Sequence, residues 1–224
     1  DFPANAFQFD LDEYFGQLNR LKEQYKGKLD LRIGVEIGLQ KHLGEAYHRL
    51  TEAYPFDFVI GSVHLVGGQD PYYRKIFEGR TDEEVYRMAF RETLENVEAV
   101  KDFDTLGHLD YVVRYGIHQA AEYSYRKFSD EIDAVLKKLI AEGKGLEMNL
   151  AGIKYGLGFP NPHPDVLKRY RELGGEIITI GADAHEPAHV AYEFEKATEI
   201  LRECGFSYYA EFHGRKPVFQ RIVP

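Results

Sequence analysis

Short apolar runs alternate with longer amphipathic segments along most of this chain. Leucine and aromatic residues recur every three or four positions over residues 11–25, which predicts a helix with one apolar face. Residues 56–63 (FDFVIGSV) are mostly apolar, as is typical of a buried strand. Thr81 or Asp82 stands before acidic residues and predicts the start of a long helix that runs to about Lys101.

The same patterns predict the remaining elements. Strands are expected over residues 29–37, 56–63, 105–108, 146–150, 176–180, 206–210 and 217–222. Further helices are expected over residues 45–54, 129–141, 164–173 and 188–203. Short apolar strands that alternate with helices indicate parallel βαβ units whose sheet is covered on both faces. We therefore expect one α/β domain over residues 1–224, a barrel or part of one.

Composition and charge narrow the class of protein. The 224 residues are 44% hydrophobic, which suits a globular domain with a substantial core. The formal net charge of −9 argues against a nucleic-acid partner, although local cations or metal ions could still hold a small anionic substrate. No apolar stretch approaches the ~20 residues that cross a bilayer. Cys204 is the only cysteine and cannot form an internal disulfide, so a cytoplasmic protein is expected.

Side chains with metal-binding or catalytic chemistry follow the predicted strands at their carboxyl ends. They are Glu36, His64, His108 with Asp110 two residues on, Asn149, and Asp183 and His185 in the sequence GADAHEP. The carboxyl ends of parallel strands share one face in α/β folds, so these groups should converge. Three imidazoles and two carboxylates match a site for Zn, Mn or Fe. Because carboxylates can bridge, more than one ion is plausible.

Each of these residues also has a structural interpretation. A lone Glu36 is usually solvated, a lone His64 is more often a satisfied structural histidine, and Asp183 could cap the helix that follows it. His108 and Asp110 could form an ordinary hydrogen-bonded pair. The shared position at strand ends favours the metal site. The other histidines lack this position, and a solvated role is expected for His42, His48, His118, His163, His189 and His213.

The chain resembles the PHP (polymerase and histidinol phosphatase) superfamily of metal-dependent phosphoesterases, and within it the histidinol-phosphate phosphatase branch. The motifs that carry the resemblance, in family order, are GVEIG, IGSVH, GHLDYVVRYG, LEMNLAGIKYG, ELGGEIITIGADAHEP and GFSYYAEFHGRKPVFQRI. The resemblance implies a distorted (β/α)7 barrel with two or three divalent ions at the carboxyl ends of its strands. It also implies the metal ligands Glu36, His64, His108, Asp183 and His185.

The sequence departs from the family pattern at its start. The family normally opens with a His-x-His strand, whereas the first histidine here is His42. The resemblance therefore implies that the first βα units, roughly 40 residues, are missing from this chain. We expect the barrel to be open there, with apolar side chains exposed at Leu31, Ile33 and Val35.

The resemblance implies hydrolysis of a phosphomonoester, and L-histidinol phosphate in histidine biosynthesis is the expected substrate. Asp183 and His185 are the expected catalytic residues, and Arg114, Lys154 and Asn149 are expected to contact the substrate. Selectivity for an amino alcohol would need acidic or aromatic contacts, for which Tyr155 and Glu147 lie in the right region. Two alternatives stay open: a phosphoesterase for another small phosphomonoester, and a catalytically inactive PHP-like binding module. The sequence does not predict an oligomeric state.

Overall fold

A parallel sheet of five strands forms the centre of the molecule, in a computed structural model that describes residues 9–223. Its strands are β1 (Gly34–Gly38), β2 (Phe58–Ser62), β3 (Thr105–Leu106), β4 (Gly145–Asn149) and β5 (Ile178–Gly181). Their order in the sheet is their order in the chain, as in the wall of a β/α barrel, whereas doubly wound sheets reverse direction at a switch point. Among the described residues the sheet is open, with β1 and β5 as its edges. The predicted α/β class is confirmed.

Seven helices accompany the sheet in the described part of the chain. They are α1 (Leu11–Gln24), α2 (Gly44–Ala53), α3 (Asp82–Ala99), α4 (Ser129–Ala141), α5 (Ala151–Lys154), α6 (Pro164–Glu172) and α7 (Phe194–Glu203). Thr81 begins α3 with a capping box in which its side chain and that of Glu84 bond to each other's backbone N–H groups.

The two largest boundary errors of the prediction each have a local reason. The helix expected from residue 188 begins at Phe194, because Ala191 and Glu193 adopt positive φ angles of 57° that interrupt a right-handed helix. The first strand was expected from residue 29 but begins at Gly34. The N–H of Ile33 donates to the Asp57 side chain at 3.0 Å instead of pairing within the sheet.

The two faces of the sheet differ in polarity. One face packs against the helices through fully buried apolar residues, among them Val59, Leu106, Leu146, Met148 and Ile178. The opposite face carries several polar side chains, and three of them lie over a glycine in or just after the neighbouring strand. These pairs are Ser62 over Gly107, Thr105 over Gly145 and Glu147 over Gly181, where an added Cβ would lie 2.2, 2.3 and 2.0 Å from the polar oxygen. The glycines therefore make room for a polar layer beneath the strand ends.

Helix α1 lies against the β1 edge of the sheet. The Tyr14 hydroxyl donates to the Gly34 carbonyl at 2.7 Å, so one backbone acceptor near this edge is paired. Ile33 is only 3% exposed, and Leu31 and Val35 are half-buried. The prediction that all three would be exposed is therefore wrong.

A β-hairpin follows the parallel sheet. Its antiparallel strands are β6 (Tyr208–His213) and β7 (Lys216–Arg221), joined by Gly214 and Arg215 with φ angles of 55° and 65°. Two positive φ angles are the requirement of a type I′ hairpin turn. The Phe212 ring stacks on Phe58 with centroids 4.8 Å apart, which places the hairpin at the amino end of β2. Within residues 9–223 we find no helix with the length and apolar character needed to cross a bilayer.

Candidate metal centre

Glu36, His64 and His108 form a compact cluster at the carboxyl ends of three adjacent strands. Glu36 lies on β1, His64 follows β2 and His108 follows β3. The Oε1 atom of Glu36 lies 3.3 Å from His64 Nε2 and 3.2 Å from His108 Nε2. One ligand atom from each residue lies within 4.8 Å of the others, and no other group of three His, Cys, Asp or Glu residues in the described part of the chain meets this limit. We call these three residues the candidate metal centre.

The donor set of the candidate metal centre fits a divalent cation. Two imidazoles and one carboxylate are the protein ligands of several catalytic zinc sites. Burial favours the protonated form of Glu36, but hydrogen bonds from His108 and His64 outweigh it and hold the Glu36 pKa far below its usual range. Burial lowers the pKa of His108, which favours the neutral imidazole that a metal ion requires. The shifts of Glu36 and His108 both favour the forms that bind a cation.

Aromatic packing and a buried carboxylate hold the histidines in place. The Tyr111 ring lies 4.9 Å from the His108 ring and 5.2 Å from the His64 ring, between centroids. Glu147 on β4 accepts the backbone N–H of His108 at 3.0 Å and the Asn149 Nδ2 at 3.2 Å. Glu147 is only 5% exposed, so it lies beneath the site rather than in a position to contact an amino alcohol.

Arg114 is buried beside the candidate metal centre. Its guanidinium donates to Asn161 Oδ1 at 2.7 Å, to Asn149 Oδ1 at 3.2 Å and to Asp183 Oδ2 at 3.2 Å. The guanidinium carbon lies 5.2 Å from the Tyr111 ring and 4.9 Å from the Tyr155 ring, a cation–π arrangement on both. Arg114 is 4% exposed, which makes it part of the frame of the site as well as a candidate phosphate contact.

The two cations and the amide expected at the substrate lie close to Asp183 or to each other. Lys154 Nζ donates to the backbone carbonyl of Asp183 at 3.2 Å, while Arg114 binds the Asp183 side chain. Arg114 also bonds to Asn149. The structure therefore brings Arg114, Lys154, Asn149 and Asp183 together, while their contact with a substrate stays a prediction.

Asp183 and His185 do not join the candidate metal centre in this structure. Asp183 has a φ of 49°, and its carboxylate pairs with Arg114. His185 places Nδ1 3.1 Å from the Asp183 carbonyl, and its side chain is 81% exposed. The alternative that Asp183 caps the following helix is wrong, because α7 begins eleven residues later, at Phe194. A ligand role for Asp183 and His185 stays a prediction.

Comparison with known proteins identifies the family. The family model of the PHP domain matches residues 3–151. A probable histidinol-phosphatase of Clostridium acetobutylicum is 32% identical over 220 residues, covering 98% of this chain and 80% of the relative. The histidinol-phosphatase of Lactococcus lactis is 31% identical, covering 96% of this chain and 80% of the relative. The chain belongs to the PHP family, in its histidinol-phosphatase branch.

A solved structure supports the same assignment. The crystal structure of the Lactococcus lactis histidinol phosphate phosphatase, complexed with zinc, L-histidinol and phosphate, superposes with a TM-score of 0.83 at 29% identity. The match covers 97% of this PHP chain and 82% of the other chain. The resemblance predicted from the motifs is therefore confirmed, as is the PHP-type fold.

Asn161 is a site residue of this PHP chain that sequence reasoning missed. It is fully buried, its backbone pairs with that of Asn149 at 2.7 and 2.8 Å, and its side chain bridges Asp110 and Arg114. Burial raises the pKa of Asp110, whose carboxylate also accepts the N–H of His163 at 2.9 Å. Asn161 stands between two prolines in FPNPHP, and nothing in that loop sequence marks it as part of the site.

Proposed function

We propose that this protein is a metal-dependent phosphatase that hydrolyses L-histidinol phosphate to L-histidinol and phosphate, a cytoplasmic step of histidine biosynthesis. The observation that carries the proposal is the cluster of Glu36, His64 and His108 at the carboxyl edge of the sheet. The same fold in the Lactococcus lactis enzyme was solved with zinc, L-histidinol and phosphate, which supports both the metal and the substrate.

The proposed metal ligands are the candidate metal centre together with Asp183 and His185. These five residues would hold two or three divalent ions, which we expect to be zinc, manganese or iron. Bound divalent ions lower the pKa of water and neutralise phosphoryl oxygens, which is the chemistry that phosphomonoester hydrolysis requires. As a ligand, Asp183 would have to exchange its ion pair with Arg114 for a bond to metal.

Arg114, Lys154 and Asn149 are the proposed contacts of the substrate. A guanidinium has five N–H donors, of which Asn149, Asn161 and Asp183 take three, so two remain for phosphate oxygens. Lys154 adds a second positive charge at the same place. These cations explain how a chain of net charge −9 could bind an anionic substrate.

His185 is proposed to act where the alcohol leaves. Its ring is exposed beside Asp183, so it can protonate the leaving oxygen or complete the coordination of an ion. Asp183 fixes the direction of this ring, because its carbonyl faces His185 Nδ1.

The test is phosphate release from L-histidinol phosphate by the full-length protein loaded with Zn, Mn or Fe. We expect a kcat/KM well above that for other small phosphomonoesters. Glu36→Gln should lower it on the order of 100-fold, because the anionic ligand is lost. Glu45→Gln on the exposed surface of α2 is the matched control and should behave as the parent. Equal activity on L-histidinol phosphate and on the other phosphomonoesters would indicate a phosphoesterase of broader specificity. Metal-loaded protein without any turnover would indicate a binding module.

A further inference from the structure

Two buried asparagine side chains hold one edge of the Arg114 guanidinium. Asn161 Oδ1 accepts its Nε–H at 2.7 Å, and Asn149 Oδ1 accepts an N–H of Nη2 at 3.2 Å. The two asparagines are also joined to each other, because their backbone N–H and carbonyl groups pair in both directions at 2.7 and 2.8 Å. The Nε and Nη2 edge of Arg114 is therefore fixed from within the protein, while Nη1 extends to Asp183.

A buried carboxylate decides which way the amide of Asn161 points. Asp110 is fully buried, its Oδ1 accepts an N–H of Asn161 Nδ2, and its Oδ2 accepts the backbone N–H of His163 at 2.9 Å. A rotated amide would turn Asn161 Oδ1 toward the carboxylate and Nδ2 toward the guanidinium, so that acceptor faced acceptor and donor faced donor. Asp110 thus directs the Asn161 carbonyl oxygen toward Arg114.

The backbone around Asn161 leaves this side chain little freedom to move. Its pairing with Asn149 anchors it to the end of β4, and Gly152 of α5 lies against it. A Cβ added at Gly152 would lie 2.8 Å from Asn161 Oδ1 and 2.4 Å from the carbonyl oxygen of Phe159. The loop that carries Asn161 therefore packs directly on α5, and a close-packed interior resists displacement of the side chain. Asn161 Oδ1 is a fixed acceptor for Arg114.

We propose that Asn161 and Asp110 are positioning residues, which act through Arg114 to set the affinity of the site for a phosphate group. A guanidinium recognises phosphate oxygens through the fixed directions of its N–H bonds. The Arg114 side chain has several rotatable bonds, and holding them in one arrangement before the anion binds lowers the entropic cost of binding. Neither Asn161 nor Asp110 touches the substrate in this role. The inference rests on the proposed function, in which Arg114 contacts the phosphate of the substrate.

The experiment is a double-mutant cycle on the binding of inorganic phosphate to the zinc-loaded full-length protein, measured by calorimetry. Asn161→Ala should weaken phosphate binding about tenfold, the equivalent of ~1.4 kcal/mol. In protein that already carries Arg114→Ala, the same substitution should change the affinity less than about twofold, because the group through which it acts is absent. Asp110→Asn should act in the same direction as Asn161→Ala, since an amide both donates and accepts and no longer dictates the direction of Asn161.

Asn96→Ala is the matched control for the loss of a buried asparagine. Asn96 is 3% exposed and lies ~21 Å along α3 from the first residue of that helix, Asp82, which bonds to the loop after Arg114. This variant should leave phosphate affinity unchanged, whatever its effect on the melting temperature. Zinc content is measured in every variant, so that a loss of metal is not mistaken for a loss of anion binding.

The outcomes separate the positioning roles from the proposed function. Unchanged phosphate affinity in both Asn161→Ala and Asp110→Asn overturns the positioning roles, and so does equal weakening by Asn161→Ala with and without Arg114. If Asn161→Ala does not fold, Asp110→Asn in the two backgrounds decides in the same way. Effects that disappear in Arg114→Ala, in a parent that does not hydrolyse L-histidinol phosphate, support the positioning roles and reject the proposed function.

Discussion

At the scale of a single residue, Glu147 connects the candidate metal centre with the group of residues around Arg114. Its carboxylate holds the backbone of His108 on one side and the side chain of Asn149, which bonds to Arg114, on the other. Burial, with the nearby charge of Glu36, raises its pKa to about 7. A carboxyl group with a raised pKa in the folded state favours folding while it is protonated and opposes folding once it ionises.

The raised pKa predicts how stability depends on pH in the metal-free protein. The contribution of Glu147 is fully present below its unfolded value of 4.5 and is lost as the pH rises through about 7. Gln cannot ionise at this position, so the Glu147→Gln variant should not show this loss. Over this pH range the unfolding free energy of the parent should fall by on the order of 3 kcal/mol relative to that of the variant. Denaturant unfolding in chelator at several pH values measures the difference. A gap between the two proteins that does not change with pH would contradict the prediction.

Asp183→Asn separates a metal ligand from a loop residue. Asn tolerates the positive φ of this position and can still accept from Arg114, so stability should stay close to that of the parent. The loss of the anionic charge should remove most of the metal bound through this residue and lower kcat/KM on the order of 100-fold. Metal analysis, phosphate release and thermal melting test this on one preparation. Normal metal content together with normal turnover would remove Asp183 from the ligand set.

At the scale of the secondary-structure element, glycines of the sheet leave space for polar side chains of the neighbouring strand. Gly181 ends β5, and an added Cβ would lie 2.0 Å from Glu147 Oε1, within a buried layer that has little room to relax. Gly181→Ala should therefore destabilise the protein by about 1–3 kcal/mol. Gly38→Ala is the matched control, because Gly38 ends β1 and a Cβ added there would meet nothing within 4 Å. Chemical denaturation of both variants should show a loss only for Gly181→Ala, and an equal loss in Gly38→Ala would contradict the prediction.

Local sequence predicted those elements whose signals are local. The capping residues of α3 and the apolar periodicity of α4 placed both helices to within two residues. The start of α7 was missed because its positive φ angles fall on Ala191 and Glu193, which are not residues that mark a break. A boundary could therefore be predicted where a residue type sets it, and could not be predicted where tertiary packing sets it.

The residues of the site differ in the same way in how far the sequence could predict them. Glu36, His64 and His108 were predictable because parallel strands bring their carboxyl ends to one edge. Asn161 was not, because its contacts with Arg114 and Asp110 depend on a loop that returns to the site from another part of the chain. The residues of the candidate metal centre follow from topology, whereas the residues that orient them follow from packing.

At the scale of the whole molecule, the C-terminal hairpin is fastened to the end of the sheet opposite the site. The turn between β6 and β7 donates backbone N–H groups to Asp57, from Gly214 at 3.1 Å and from Arg215 at 2.8 Å. Arg215 Nε also donates to Asp104 Oδ2 at 2.6 Å. Asp57 and Asp104 directly precede β2 and β3, so these contacts connect the end of the chain to the amino ends of the central strands.

These contacts of the hairpin with Asp57 and Asp104 should contribute to stability without affecting the candidate metal centre. Arg215→Ala leaves the buried Asp104 carboxylate with the N–H of Val59 but without its guanidinium, which should cost about 1–2 kcal/mol. For a chain of this length that lowers the Tm by about 2–8 °C. Arg221→Ala, at an exposed position on β7, is the matched control. Zinc affinity should be the same in all three proteins, since a strand of five residues, ~16 Å, separates the hairpin contacts from the ligands. A loss of zinc binding in Arg215→Ala would show that the two ends of the sheet are coupled and that the hairpin helps to shape the site.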